Sequence, residues 1–244
     1  MNIQAFILTT LAGLSTLLGT LPIFIKNKTN KIIISSLSFA AGVMITVSIT
    51  DLIPEALNYI NKTFKIVPTL LIIGIFISLG IIISMTIDKY INREGELYKV
   101  GIISMIAIIL HNIPEGIITY LGAETNIKLG LSLTIAIALH NIPEGISIAI
   151  PIYYAKKSRG KAILYTLTSA LSEPLGALLA HLFLSKIMNN LLMGIILSIV
   201  AGIMIQIAVY ELIPTSLKYK NKLRTILFIT IGIIFMLLNH IIFK

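Results

Sequence analysis

Apolar residues in this chain do not alternate, and they do not form one stripe at helical spacing. They come in long blocks. Eight blocks are long enough, or nearly so, to cross a bilayer core, which takes roughly 20 apolar residues. They cover 3–25, 32–59, 66–87, 100–121, 128–152, 162–185, 191–217 and 225–243. Short polar connections separate them: Lys26–Lys31, Asn61–Lys65, Asp88–Lys99, Gly122–Ile127, Tyr153–Lys161, Lys186–Asn190 and Lys218–Arg224. The pattern predicts an all-α integral membrane protein with eight transmembrane helices, and residues 1–244 read as one transmembrane domain. The first block has no basic stretch before it and no A-x-A-like site after it, so it reads as a retained helix rather than a signal peptide.

Composition supports this reading. The 244 residues are 57% apolar and 12% charged, with a mean hydropathy of +0.98. A soluble domain is about 25% charged. Cysteine is absent, which excludes disulfides, thiolate metal sites and cysteine nucleophiles. The net charge of +9 would suggest nucleic acid in a soluble domain. Here 14 of the 19 Lys and Arg residues lie in the connections after blocks 1, 3, 5 and 7. The positive-inside rule then places both termini outside the cytoplasm. The charge is mostly a topology signal, and no nucleic-acid partner is expected.

Two segments recur. His111-Asn112-Ile113-Pro114-Glu115-Gly116-Ile117 is repeated unchanged at His140–Ile146. Ala41–Pro54 aligns more distantly with Ala201–Pro214, at an offset of 160 without gaps. With the topology above, each copy runs opposite to its mate. Inverted repeats are a recurrent transporter plan, with the substrate near the midplane.

Ionisable groups inside a span cost several kcal/mol on insertion scales and so mark function. His111 and Glu115, His140 and Glu144, and Glu173 all fall near the centres of blocks 4, 5 and 6. Residues at i, i+1 and i+4 share a helix face. His111, Asn112 and Glu115 therefore point one way, and His140, Asn141 and Glu144 do the same. If the faces meet, imidazoles, amide oxygens and carboxylates converge, and Glu173 can close the set. Imidazole with carboxylate suits Zn²⁺, Fe²⁺, Mn²⁺ or Co²⁺. The competing reading is a buried His–Glu network that only holds helices together. Pro114 and Pro143 free one carbonyl each on these faces and allow a kink.

The doubled His-Asn-Ile-Pro-Glu-Gly motif, with Ser172-Glu173-Pro174-Leu175-Gly176, resembles the ZIP (Zrt/Irt-like) divalent-metal transporters, most closely their bacterial ZupT-like branch. The resemblance covers essentially the whole chain and implies a three-two-three inverted-repeat arrangement. It implies a binuclear centre, with His111, Glu115, His140 and Glu144 in one position and Met44 as an added ligand. Asn112, Glu115, Asn141, Glu144 and Glu173 would form the second, with Glu115 and Glu144 bridging. It further implies a homodimer and an elevator-like movement of spans 1, 4, 5 and 6 against spans 2, 3, 7 and 8. The His-rich loop that many relatives carry between spans 3 and 4 is missing, since Asp88–Lys99 contains no His.

Asp51 and Glu55, at i and i+4 on block 2, fall toward the outer end, and Glu211, the repeat mate of Asp51, toward the inner end. They read as acids at the two mouths of a metal path. His181 and His240 read as interfacial anchors, and Met204 as packing. The expected function is uptake of divalent transition metals across the cytoplasmic membrane, mainly Zn²⁺, with Fe²⁺, Mn²⁺, Co²⁺ and Cd²⁺ as further cargo. A metal exporter of the same architecture is the alternative. An intramembrane metalloenzyme is disfavoured, because neither H-E-x-x-H nor Glu-x-x-His occurs.

Overall fold

The computed structural model describes residues 1–25, 30–90, 95–184 and 189–243, with only the backbone at 183 and 184. Among them are eight helices long and apolar enough to span a membrane: α1 Ile3–Phe24, α2 Asn30–Asn61, α3 Ile66–Tyr90, α4 Glu96–Thr125, α5 Ile127–Lys156, α6 Arg159–Leu182, α7 Asn190–Leu217 and α8 Lys222–Phe243. The eight expected blocks are thus eight helices. The connections Lys26–Lys31, Asp88–Lys99 and Lys186–Asn190 lie partly outside the described residues.

The helices α4 and α5 run to 30 residues each, longer than their apolar blocks. Hydropathy ends where polar residues begin, but a helix continues until its backbone is capped. The expected connection Gly122–Ile127 is helical except at Asn126, whose backbone is extended at φ −151°. Asn126 ends α4 and caps α5, its side-chain oxygen accepting from the Lys128 N–H at 3.0 Å. Both helices pass without interruption through Pro114 and Pro143.

Four spans change their winding among the described residues, α6 by a π turn that begins at Ala180. In α2 the turn Ser48–Leu52 widens to π geometry, with the Ile53 N–H bonded to the Ser48 carbonyl. In α7 the same happens at Ala208–Leu212, where Ile213 bonds back to Ala208. Each widened turn precedes an Ile-Pro pair, and the two stand 160 residues apart, the offset of the sequence repeat. Proline has no N–H and its ring crowds the carbonyl four residues back, so the turn before it opens. In α1 the second half, Thr16–Phe24, tightens to a 3-10 helix.

Glycines set the closest helix approaches. A Cβ at Gly42 of α2 would meet the backbone of Ile229 in α8, and one at Gly202 of α7 would meet Ile77 in α3. Gly116 of α4 lies against Glu173 of α6, and Gly176 of α6 against Ile113. Gly145 of α5 lies against Thr16 of α1, and Gly19 of α1 against Ile142. The pairs α4·α6 and α5·α1 therefore use equivalent positions of the doubled motif. The contacting segments share a further short match, Leu14-Ser15-Thr16-Leu17-Leu18-Gly19 with Leu171-Ser172-Glu173-Pro174-Leu175-Gly176.

Burial follows this packing. The apolar stretches of α3 and α8 are 17% buried, whereas those of α2, α4, α5 and α7 are 61–67% buried. The inner four helices thus enclose the polar residues, and α3 and α8 turn most of their apolar surface outward, where lipid is a suitable solvent for it.

Candidate metal centre

The two copies of the motif face each other where α4 packs on α5. His111, Asn112, Glu115, His140, Asn141, Glu144 and Glu173 are all buried. The i, i+4 spacing brings His111 Nε2 to 3.3 Å from Glu115 Oε1 within α4. Across the interface, His111 Nε2 lies 3.4 Å from Glu144 Oε1. His140 Nε2 reaches the two oxygens of Glu115 at 3.1 and 3.3 Å. The imidazole centroids are 6.1 Å apart. The ligand atoms of His111, His140 and Glu144 all lie within 4.8 Å of one another.

These spacings suit a tetrahedral cation. Zinc binds His nitrogen and carboxylate oxygen at about 2.0–2.2 Å, so two ligand atoms on one tetrahedral edge stand about 3.3 Å apart. The four imidazole-to-carboxylate distances fall between 3.1 and 3.4 Å.

Hydrogen bonding weighs against a purely structural network. Buried polar groups in a structural network find partners, and an unmade bond costs about 1–3 kcal/mol. Here both ring nitrogens of His111, both amide atoms of Asn112 and both carboxylate oxygens of Glu144 are buried without a hydrogen-bond partner. Asn141 Oδ1 and Glu173 Oε2 are in the same position. A cation supplies the missing interaction for the carboxylate and amide oxygens and for one nitrogen of the imidazole, the atoms of this set that carry free lone pairs.

Glu173 joins the cluster through Asn141, whose amide donates to Glu173 Oε1 and, at 2.9 Å, to the Ala12 carbonyl of α1. Glu173 is held in place by the backbone against Gly116. Met44 is fully buried on α2. Among the described residues its sulfur makes no hydrogen bond to the cluster, whereas its carbonyl accepts from Ser48 at 2.8 Å.

A cavity of about 60 Å³ is lined by Glu115 and His140 and also by Asp51, Glu55 and His240. Asp51 sits in the widened turn of α2 and pairs with His240 Nδ1 of α8 at 2.7 Å. His240, expected as an interfacial anchor, thus joins α8 to α2 through Asp51. His181 is 3.4 Å from the Tyr120 hydroxyl. Glu211 of α7 lies in the electrostatic neighbourhood of Asp88, Lys99 and Glu96. Asp88 pairs with Lys99 at 2.5 Å, and Glu96 with Lys218 at 2.5 Å. Asp51 and Glu211 thus occupy different polar neighbourhoods. Gln206, buried on α7 and accepting from Ser84 of α3 at 2.5 Å, was not anticipated; a lone Gln in an apolar block carries no pattern.

The profile of the family described as ZIP Zinc transporter matches residues 93–240. The chain belongs to the ZIP family. It is 37% identical to the zinc transporter ZupT of Clostridium perfringens over 99% of this chain and 96% of that protein. Identity to the zinc transporter ZupT of Streptococcus mutans is 39%, over 98% and 97%. To that of Oceanobacillus iheyensis it is 41%, over 88% of each. These ZIP relatives are named as transporters, so the family gives no support to an enzymatic reading. Membership also covers α4 to α8, which carry all the cluster residues except Met44, together with His240.

Proposed function

We propose that this ZIP protein carries zinc across the cytoplasmic membrane into the cell, with the His111, Glu115, His140 and Glu144 cluster as its central binding position. The observation that carries the reading is the tetrahedral spacing of buried imidazole and carboxylate atoms inside a multi-pass bundle. The names of the ZupT relatives support zinc as cargo. Asn112, Asn141 and Glu173 supply a second position, bridged by Glu115 and Glu144, and Met44 adds a soft ligand to the first. Fe²⁺, Mn²⁺, Co²⁺ and Cd²⁺ fit the same nitrogen and oxygen donors and are proposed as lesser cargo.

The reading places both termini outside and the protein in a homodimer. The recurrence of widened turns at an offset of 160, and the paired approaches α4·α6 and α5·α1, support an inverted repeat. Asp51 and Glu55 then face the outer mouth and Glu211 the inner one. The two bundles would slide as α1, α4, α5 and α6 against α2, α3, α7 and α8. The membrane potential suffices as drive. A divalent ion crossing 100 mV gains about 4.6 kcal/mol, an accumulation ratio on the order of 10³.

The test is uptake of radioactive Zn²⁺ into proteoliposomes under an imposed inside-negative potential. Wild-type protein takes up zinc, and Glu115→Ala and Glu144→Ala, at matched protein content, nearly abolish uptake. Wild-type rates in both variants would sink the central site. Movement only outward would favour the exporter.

A further inference from the structure

We infer that Asp51 and His240 form a further metal site, a capture position for a partly hydrated divalent transition-metal ion, with Glu55 lining the cavity beside them. The inference rests on the transport reading for its purpose, but its geometry is independent of it. His240 Nδ1 and Asp51 Oδ1 are 2.7 Å apart, joining α8 to α2. Their side chains are 32% and 15% exposed, so an ion there keeps water ligands, unlike one at His111 or Glu144. Glu55, one helical turn beyond Asp51, lines the same cavity.

Two further observations point into this cavity. Asn239 lines it, is buried, and spends its amide donor on the Ala136 carbonyl at 3.1 Å, while its Oδ1 has no hydrogen-bond partner. Asp51 lies in a π turn, a local geometry that recurs at functional sites. The same cavity is also lined by His140 and Glu115, so an ion held by His240 and Asp51 shares one cavity with ligands of the centre.

The donor set defines the ion. One imidazole nitrogen with carboxylate oxygens and water suits Zn²⁺ and its neighbours, whereas Mg²⁺ and Ca²⁺ seek oxygen alone. Binding replaces the His240–Asp51 hydrogen bond by two metal bonds. The pair must open from 2.7 Å to the tetrahedral edge of about 3.3 Å, a movement of roughly 0.6 Å. His240 is thereby a selectivity residue of the mouth rather than an anchor.

The experiment separates a ligand from a helix fastener. Zinc binding is measured by competition with a chelating dye on purified full-length protein carrying Glu115→Ala and Glu144→Ala, which disables the centre. One weak zinc ion per chain is expected to remain. Adding His240→Ala or His240→Asn should weaken it roughly tenfold or more. Asn keeps a donor for Asp51 but is a poor zinc ligand, so retained binding in the Asn variant would overturn the site. No residual zinc in the centre-disabled protein would overturn it as well. In otherwise wild-type protein, His240→Asp leaves an all-oxygen mouth, and zinc uptake should become inhibitable by millimolar Ca²⁺. Uptake that stays insensitive to Ca²⁺ counts against His240 as the selective ligand. Failure of the wild-type protein to move zinc would remove the transport reading and leave the binding measurement to decide the site.

Discussion

Glu144 gives a direct test of whether the buried cluster is a metal centre or a structural network. Its two oxygens lack hydrogen-bond partners, and Oε1 lies 3.4 Å from His111 Nε2. Replacement by Gln keeps the volume and removes the charge. A ligand that binds only the folded state adds about 2.7 kcal/mol of stability at a concentration of 100 times Kd. Losing a partner one shell out from a metal already weakens binding about 10–100-fold, so 100-fold is a fair expectation for a directly liganding carboxylate. The same zinc concentration then only equals Kd, and the added stability falls to about 0.4 kcal/mol. For a chain of this length 1 kcal/mol moves Tm by about 2–4 °C. Zinc should therefore raise the Tm of wild-type protein by about 5–11 °C and that of Glu144→Gln by less than about 2 °C. The assay is thermal unfolding in detergent, with zinc fixed at 100 times the wild-type Kd. Without metal the two readings diverge in sign. A network held by the Glu144–His111 contact would lose stability on Glu144→Gln, whereas a buried carboxylate whose oxygens accept no hydrogen bond gains or breaks even when its charge is removed. An equal zinc-induced shift in both proteins, or a lower metal-free Tm in the variant, would refute the metal centre.

Two further outcomes are expected. Gly116→Ala places a Cβ 2.8 Å from the carbonyl carbon of Glu173 and 2.9 Å from its Cα, so α4 and α6 must separate; stability should fall by about 1–3 kcal/mol and zinc uptake with it, whereas Gly74→Ala, with no neighbour within 4 Å, should change neither in the same thermal and uptake assays. His111→Ala should shift preference toward harder ions such as Mn²⁺, while Glu173→Ala should lower the rate with less change in ranking; competition assays giving one ranking for both would count against two distinct positions.

The number of helices and the identity of the cluster residues were legible in the sequence because the bilayer imposes them locally. A span must satisfy its own backbone hydrogen bonds and must be about 20 residues long, so each block declares itself without reference to the others. An acid or imidazole in such a block is costly enough to stand out singly, and i, i+4 spacing places His111 beside Glu115 before any neighbour is known. Beyond the convergence of blocks 4, 5 and 6 that the doubled motif and the ZIP resemblance implied, the contacts between blocks lay out of reach. That Asn141 donates to Glu173, that Gly116 admits the Glu173 backbone, and that α1 approaches α5 as α6 approaches α4 all depend on which helices touch. His240 shows the limit most clearly. It stands 189 positions from Asp51, near the end of an apolar helix, with no motif around it. Side-chain chemistry is written residue by residue, but the pairing of α8 with α2 is an outcome of packing, and only that packing turns an isolated imidazole into half of an ion-binding pair.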